Sequence, residues 1–203
     1  MSSTGSGPTA PRQTPGLAEA VVELLNSRPH ATPRTPDTLT DPASAAPLLL
    51  PFGQAPSAPL SDDDVAQVRS LRKALTEAVH LPGTEAGQAA WTQINRLAAS
   101  TGFHHAFNGD GRVAQHQVSG SPAAGAIIRA IADLVASGQF SRIRICAHPD
   151  CRHAFYDATR SGNQRWHSYE VCGNRANVAA HRTRAKHPPR TQATNRTPDT
   201  SSR

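Results

Sequence analysis

Apolar residues recur at helical spacing in several stretches of the chain. In LAEAVVELL, residues Leu17, Val21, Leu24 and Leu25 share one face, and Asn26-Ser27-Arg28-Pro29 ends the run, which predicts a short amphipathic helix. Ser61-Asp62-Asp63-Asp64 supplies an N-cap hydroxyl and first-turn acids that face the positive end of a helix dipole. Val65, Val68, Leu71, Leu75 and Val79 then carry an apolar stripe to about His80. A further helix is predicted from about Thr84 to Ser100, with Ala89, Ala90, Ile94 and Leu97 inward and Gly102 closing it. The next opens at Ser121-Pro122, lines Ala126, Ile127, Ala130, Ile131, Leu134 and Val135 along one face, and ends at Ser137-Gly138. Between these two helices, Phe103–Phe107 and Arg112–Val118 flank the turn cluster Asn108-Gly109-Asp110-Gly111, the pattern of a two-stranded hairpin.

Proline marks where this order stops. Eleven of the 17 prolines lie in residues 1–60 and three in 188–203, which leaves Pro82, Pro122 and Pro149 between. Residues 1–15, rich in Ser, Thr, Gly and Pro, and the tail 188–203 are expected to be disordered. The segment from Pro29 to Pro59 reads as an ordered loop with one short helical turn, anchored through Leu39 and Leu48-Leu49-Leu50. The 203 residues therefore suffice for one domain with a real core plus a small module. Neither an internal repeat nor a phosphate-loop pattern is present.

Charge divides the chain differently. The formal net charge is +6, but residues 1–139 hold 9 Lys and Arg against 11 Asp and Glu, while residues 140–203 hold 12 against 4, a net of +8. A local excess of this size points to a polyanionic partner, most often nucleic acid. No run of about 18 apolar residues exists, which excludes a transmembrane helix of that kind, and the N-terminus lacks the apolar core of a secretory signal. The expected compartment is the cytoplasm, with nucleoid association as a consequence of DNA binding. In that reducing setting three cysteines within 27 residues, Cys146, Cys151 and Cys172, favour a metal site over disulfides.

Zinc takes four N or S ligands in a tetrahedron, and two ligands a few residues apart on a tight turn supply two corners together. Cys146 and Cys151 form one such pair, with Pro149-Asp150 as turn chemistry between them. His167 and Cys172 have the same spacing, with Gly173 placed to let the backbone turn close to the metal. His148, His153 and His181 compete with His167 for the fourth position. Four protein ligands would saturate the metal, so an enzyme is not expected. Trp166 and Tyr169 are expected to pack under the hairpin opposite Phe155, with base stacking as the sharper alternative.

Asp157-Ala158-Thr159-Arg160-Ser161-Gly162-Asn163-Gln164-Arg165-Trp166-His167-Ser168, followed by Cys172-Gly173-Asn174-Arg175-Ala176, closely resembles the CGNR zinc finger. Leu24-Leu25-Asn26-Ser27-Arg28 and the later Asp37-x-Leu39-x-Asp41-Pro42 resemble the opening of the ABATE-type N-terminal domain that accompanies this finger in bacterial proteins. The resemblance spans roughly residues 16–187. It implies a transcriptional regulator linked to stress responses whose finger binds one zinc ion and DNA. The family pattern carries cysteine where this chain has His167, which implies three thiolates and one imidazole in place of four thiolates.

The expected fold is therefore α+β: a mainly helical N-terminal domain with a small β-hairpin over 16–138, then a treble-clef-like finger over 142–187 made of a hairpin and a C-terminal helix. Zinc would fix the start of that helix, over 174–187, which together with the preceding loop would present Arg160, Arg165, Asn174, Arg175, Asn177, Arg182, Arg184 and Lys186 to DNA. For any one of these arginines the competing role is a brace within the knuckle. The N-terminal domain would sense a small-molecule ligand or form a dimer. An adaptor that binds RNA or a protein partner is the alternative from a different class.

Overall fold

The computed structural model describes residues 16–31, 34–53, 59–178 and 182. Among them the apolar stripes become helices. α1 (Gly16–Asn26) buries Ala18, Ala20, Val21, Leu24 and Leu25. The loop expected after it holds more structure than its prolines suggested. β1 (His30–Ala31) pairs antiparallel with β2 (Arg34–Thr35), and α2 (Pro42–Leu49) makes two turns rather than one. Proline starts this helix because the first helical position needs no N–H. The Asp41 carboxylate accepts the Ser44 N–H at 2.9 Å and the Ser44 hydroxyl accepts the Asp41 N–H at 3.0 Å, a reciprocal cap. Leu39 and Leu49 are the buried anchors of this region, whereas Leu50 stands 61% exposed.

α3 (Asp62–His80) begins with the expected cap, since Ser61 Oγ accepts the Asp64 N–H and the Asp64 carboxylate accepts the Ser61 N–H. It packs along α4 (Glu85–Ala99), where Gly87, Ala90 and Ile94 are buried. Ala89, expected inward, is exposed at the edge of the groove between α3 and α4, and Leu97 is half-buried. Gly102 opens β3 (Gly102–Phe107) and does not close α4, which ends at Ser100 in right-handed geometry. β3 pairs antiparallel with β4 (Val113–Ser119), with His104 opposite His116 and all three hairpin histidines exposed.

α5 (Pro122–Ala136) buries Ala126, Ile127, Ala130, Ile131 and Leu134, while Val135, expected on this face, is 49% exposed. β5 (Ile143–Ile145) and β6 (Ala154–Tyr156) form a second antiparallel hairpin, with β5 against α3 and β6 against α1. Ile143, Ile145 and Ala154 join one buried core with α1, α3 and α5. Two strands of three residues would be unstable alone, so this core is what holds them.

The larger compact unit ends at His167 and a smaller one begins at Ser168. In the smaller unit Ser168 Oγ caps a π-helical turn, Tyr169–Gly173, by accepting the Val171 N–H at 3.2 Å, and residues 174–178 continue as helix. The disorder expected at 1–15 and 188–203, and the expected course of the last helix beyond 178 apart from Arg182, fall outside the described residues. No helix among the described residues is long and apolar enough to cross a membrane.

Candidate metal centre

β5 runs directly into Cys146, whose N–H donates to the His153 carbonyl at 2.8 Å and so adds one rung to the hairpin ladder. Across Pro149-Asp150 the chain reverses, and the Cys151 N–H closes the turn on the His148 carbonyl at 3.0 Å. The next residue, Arg152, takes a left-handed backbone (φ 53°), rare for a side chain with a Cβ, before the chain enters β6. The two thiols are thus held on one tight turn between two paired strands.

From β6 to His167 the chain has no regular structure, and a buried carboxylate organises it. Asp157 is fully buried. Its Oδ1 accepts the Thr159 hydroxyl and N–H, and its Oδ2 accepts the Gln164 N–H at 2.8 Å. Arg144 Nε lies 3.7 Å from the same carboxylate. Burial pushes the Asp157 carboxyl up, but those hydrogen bonds and the Arg144 charge outweigh it and hold it below the usual carboxylate range. Arg142 braces the same loop by donating to the carbonyls of Asp157 at 2.9 Å and Thr159 at 2.8 Å. The Ala147 N–H then fastens the Arg165 carbonyl at 2.9 Å, two residues before His167.

Cys146, Cys151, His167 and Cys172 form one group whose candidate ligand atoms all lie within 4.8 Å of one another. The Cys151 Sγ to His167 Nδ1 distance is 3.3 Å. A tetrahedral zinc with ordinary bond lengths sets its sulfurs about 3.8 Å apart and sulfur and nitrogen about 3.5 Å apart. The three thiols are 1% exposed, and no disulfide links them. Donor types, number and spacing all fit one Zn2+, whose part would be structural, drawing the knuckle and the turn at Cys172 together.

The histidines that competed for the fourth position have other partners. His148 Nδ1 accepts the Asp150 N–H at 3.3 Å, and His153 Nε2 lies 3.1 Å from Asn26 Nδ2; His181 is outside the described residues. Gly173 differs from expectation in its reason. Its φ is not in the left-handed region; instead an added Cβ would lie 2.7 Å from the Tyr169 ring. Tyr169 is 61% exposed rather than packed beneath a hairpin, because the turn aims its ring across Gly173, where its hydroxyl meets Asn177 Nδ2 at 3.2 Å. Phe155 is buried and Trp166 half-buried, with the Arg165 guanidinium 5.1 Å from the Trp166 ring centroid.

Residues 18–138 match the ABATE family model, described as "Putative stress-induced transcription regulator", and residues 142–185 match the CGNR zinc finger model. The first match alone covers more than half of the chain. The chain belongs to the ABATE family. No curated protein matches it.

Within this ABATE chain, the segment Leu24–Arg28 has a part that periodicity could not reveal. Asn26 Nδ2 donates to the Ala154 carbonyl at 2.9 Å while its Oδ1 accepts the Ala154 N–H at 2.8 Å, so one side-chain amide occupies the free edge of β6 as another strand would. Arg28 donates to the carbonyls of Leu25 and of Arg152 in the knuckle. Arg72 holds the Asp37 carboxylate through two hydrogen bonds of 2.7 and 2.8 Å and also donates to Ser27 Oγ at 2.8 Å. The residues that resembled the family's opening are those that bind α1 to the knuckle and to α3. Of the residues expected at DNA, Arg160, Arg165, Asn174, Arg175, Asn177 and Arg182 are exposed, and Arg184 and Lys186 lie outside the described residues.

Proposed function

We propose that this zinc-binding ABATE regulator acts by contacting DNA through its C-terminal finger. The observation that carries this reading is the exposure of Arg160, Arg165, Arg175 and Arg182 in a segment, 140–203, whose net charge is +8. Arginine pairs in a fork with phosphate and with guanine, so exposed arginines in a strongly basic, metal-binding segment suit a nucleic-acid surface. Asn174, Asn177, Arg184 and Lys186 extend the set, Asn177 after release from Tyr169. Four protein ligands leave no open coordination position, so the metal is read as structural and the protein as a binder rather than an enzyme. The helical region, on this reading, senses a ligand or dimerises, and the protein works in the cytoplasm.

The test is binding of zinc-loaded protein to labelled duplex DNA by fluorescence anisotropy at two salt concentrations. If about six phosphates are contacted, affinity should fall on the order of a thousandfold between about 50 and 200 mM salt. Arg175→Ala and Arg160→Ala should each weaken binding with zinc content unchanged. Absence of binding at about 50 mM salt, by protein carrying one zinc per chain, refutes the proposal.

A further inference from the structure

A second concentration of positive charge is made of residues other than the finger's proposed DNA contacts. Arg28 at the end of α1, Arg69, Arg72 and Lys73 on α3, and Arg152 in the knuckle converge on one cleft of about 420 Å³, completed by Thr76 and Glu77. On α3 the positions recur at three- and four-residue spacing, so they share one face. Arg72 is neutralised by Asp37. The other basic lining residues are Arg28, Arg69, Lys73 and Arg152, and the acidic one is Glu77.

Two of these arginines are held in place by carbonyl groups, which orient a guanidinium without cancelling its charge. Arg69 donates to the carbonyls of Leu39 at 2.7 Å and Thr40 at 3.1 Å. Arg28 donates to those of Leu25 and Arg152. The left-handed backbone of Arg152 is part of the same arrangement. The positive charge of the group extends to a neighbouring histidine. Burial together with Arg152 and Arg28 lowers His80 nearby.

Like charges gathered in a concave site raise the local potential, and an anion entering it relieves their repulsion. We propose that this cleft binds a small phosphorylated anion bearing two or more negative charges. Its volume lies within the range of small-molecule sites, and guanidinium forks suit phosphate oxygens. A competing role for Arg28 and Arg152 is to balance the thiolates of the metal centre. Arg69 and Lys73 distinguish the two, because they stand on α3 and neither adjoins a metal ligand in the sequence.

The experiment titrates full-length, zinc-loaded protein with inorganic pyrophosphate by calorimetry, with zinc content measured in parallel. Saturable binding, tighter than that of orthophosphate and weaker at higher salt, is expected. Lys73 is exposed, so Lys73→Glu should fold normally. It should weaken pyrophosphate about tenfold or more at unchanged zinc content, while Lys73→Arg retains it. Arg152→Gly, which suits the left-handed backbone, should also lose affinity. No saturation by about 10 mM pyrophosphate, or equal affinity in Lys73→Glu, overturns the proposal. So does an effect of Arg152→Gly confined to zinc content. If Lys73→Glu weakens duplex DNA by the same factor as pyrophosphate, the phosphates belong to nucleic acid and the small-anion site is likewise overturned. The pyrophosphate titration contains no DNA, so it can fail while the finger's DNA contact stands.

Discussion

Replacing Asn26 tests how the helical region grips the metal knuckle. In Asn26→Ala the N–H and carbonyl of Ala154, a residue with no exposed surface, both lose their partner, and His153 loses its neighbour at 3.1 Å. A buried backbone group left without a partner costs about 1–3 kcal/mol. Water entering the space of the truncated side chain recovers part of this, so the expected loss is about 2–4 kcal/mol. For a domain of this size that is a fall in Tm of about 5–12 °C. Asn26→Asp sharpens the test. It keeps an acceptor for the Ala154 N–H but turns a second carboxylate oxygen toward the Ala154 carbonyl, so at neutral pH it should cost at least as much as alanine. Protonation restores one donor, and its deficit relative to the wild type at the same pH should therefore shrink as the solution is acidified. Thermal unfolding gives stability, and competition with a chelator gives zinc affinity, which should fall in both variants because the knuckle is less firmly docked. An Asn26→Ala protein whose Tm and zinc affinity match the wild type would refute the claim that this amide holds β6.

Three further outcomes follow from the structure. His167→Cys should keep one zinc per chain by native mass spectrometry and His167→Ala should not; stoichiometric zinc in the alanine variant would remove His167 from the ligand set. Because the folded Asp157 carboxyl is depressed, its contribution to stability is full above the unfolded value of about 3.9 and is lost as pH falls through the lower folded value. The stability gap between the wild type and Asp157→Ala should thus be wide at neutral pH and close in strong acid, and a gap independent of pH contradicts the assignment. In Gly87→Ala the new Cβ would lie 2.1 Å from the Leu81 carbonyl oxygen, a backbone atom, so the start of α4 must shift at a cost of about 2 kcal/mol; urea unfolding with an unchanged midpoint would show that the turn yields freely.

The parts of this molecule that were legible in its sequence are those with a repeating signal. The stripes of α3 and α5, the Ser61 cap and the hairpin around Asn108-Gly109-Asp110-Gly111 each rest on periodicity or local turn chemistry, and each is present. Ligand spacing located the metal group in the same way. Helix α2 reads in the sequence as only one short turn because its prolines resemble breakers, although Pro42 stands where a helix tolerates proline and Asp41 and Ser44 cap it. Ala89 and Val135 were placed inward because a stripe drawn on a helical wheel has no sharp edge, and only packing decides the flanking positions. Asp157 and Asn26 had no periodic signal. Their roles depend on partners 7 and 128 residues away, which spacing alone does not disclose.

The β5–β6 hairpin is built to depend on what surrounds it. Its strands have three residues each, and Ile143, Ile145 and Ala154 find their apolar neighbours in α1, α3 and α5. The loop after it, from Asp157 to His167, contributes hydrogen bonds rather than apolar burial, so the centre formed by Cys146, Cys151, His167 and Cys172 must supply the closure that packing does not. Two kinds of support therefore meet at the knuckle: core packing with the Asn26 clamp on one side, and metal ligation on the other. Arg28 and Arg152 stand where they meet, one at the end of α1 and the other adjoining a ligand, joined by a direct hydrogen bond. An anion bound between them and α3 would tighten α1 against the knuckle, and by linkage a zinc-loaded knuckle would bind that anion more tightly. Anion binding there would give the helical region a physical means of influencing the metal-bound segment without any change of fold.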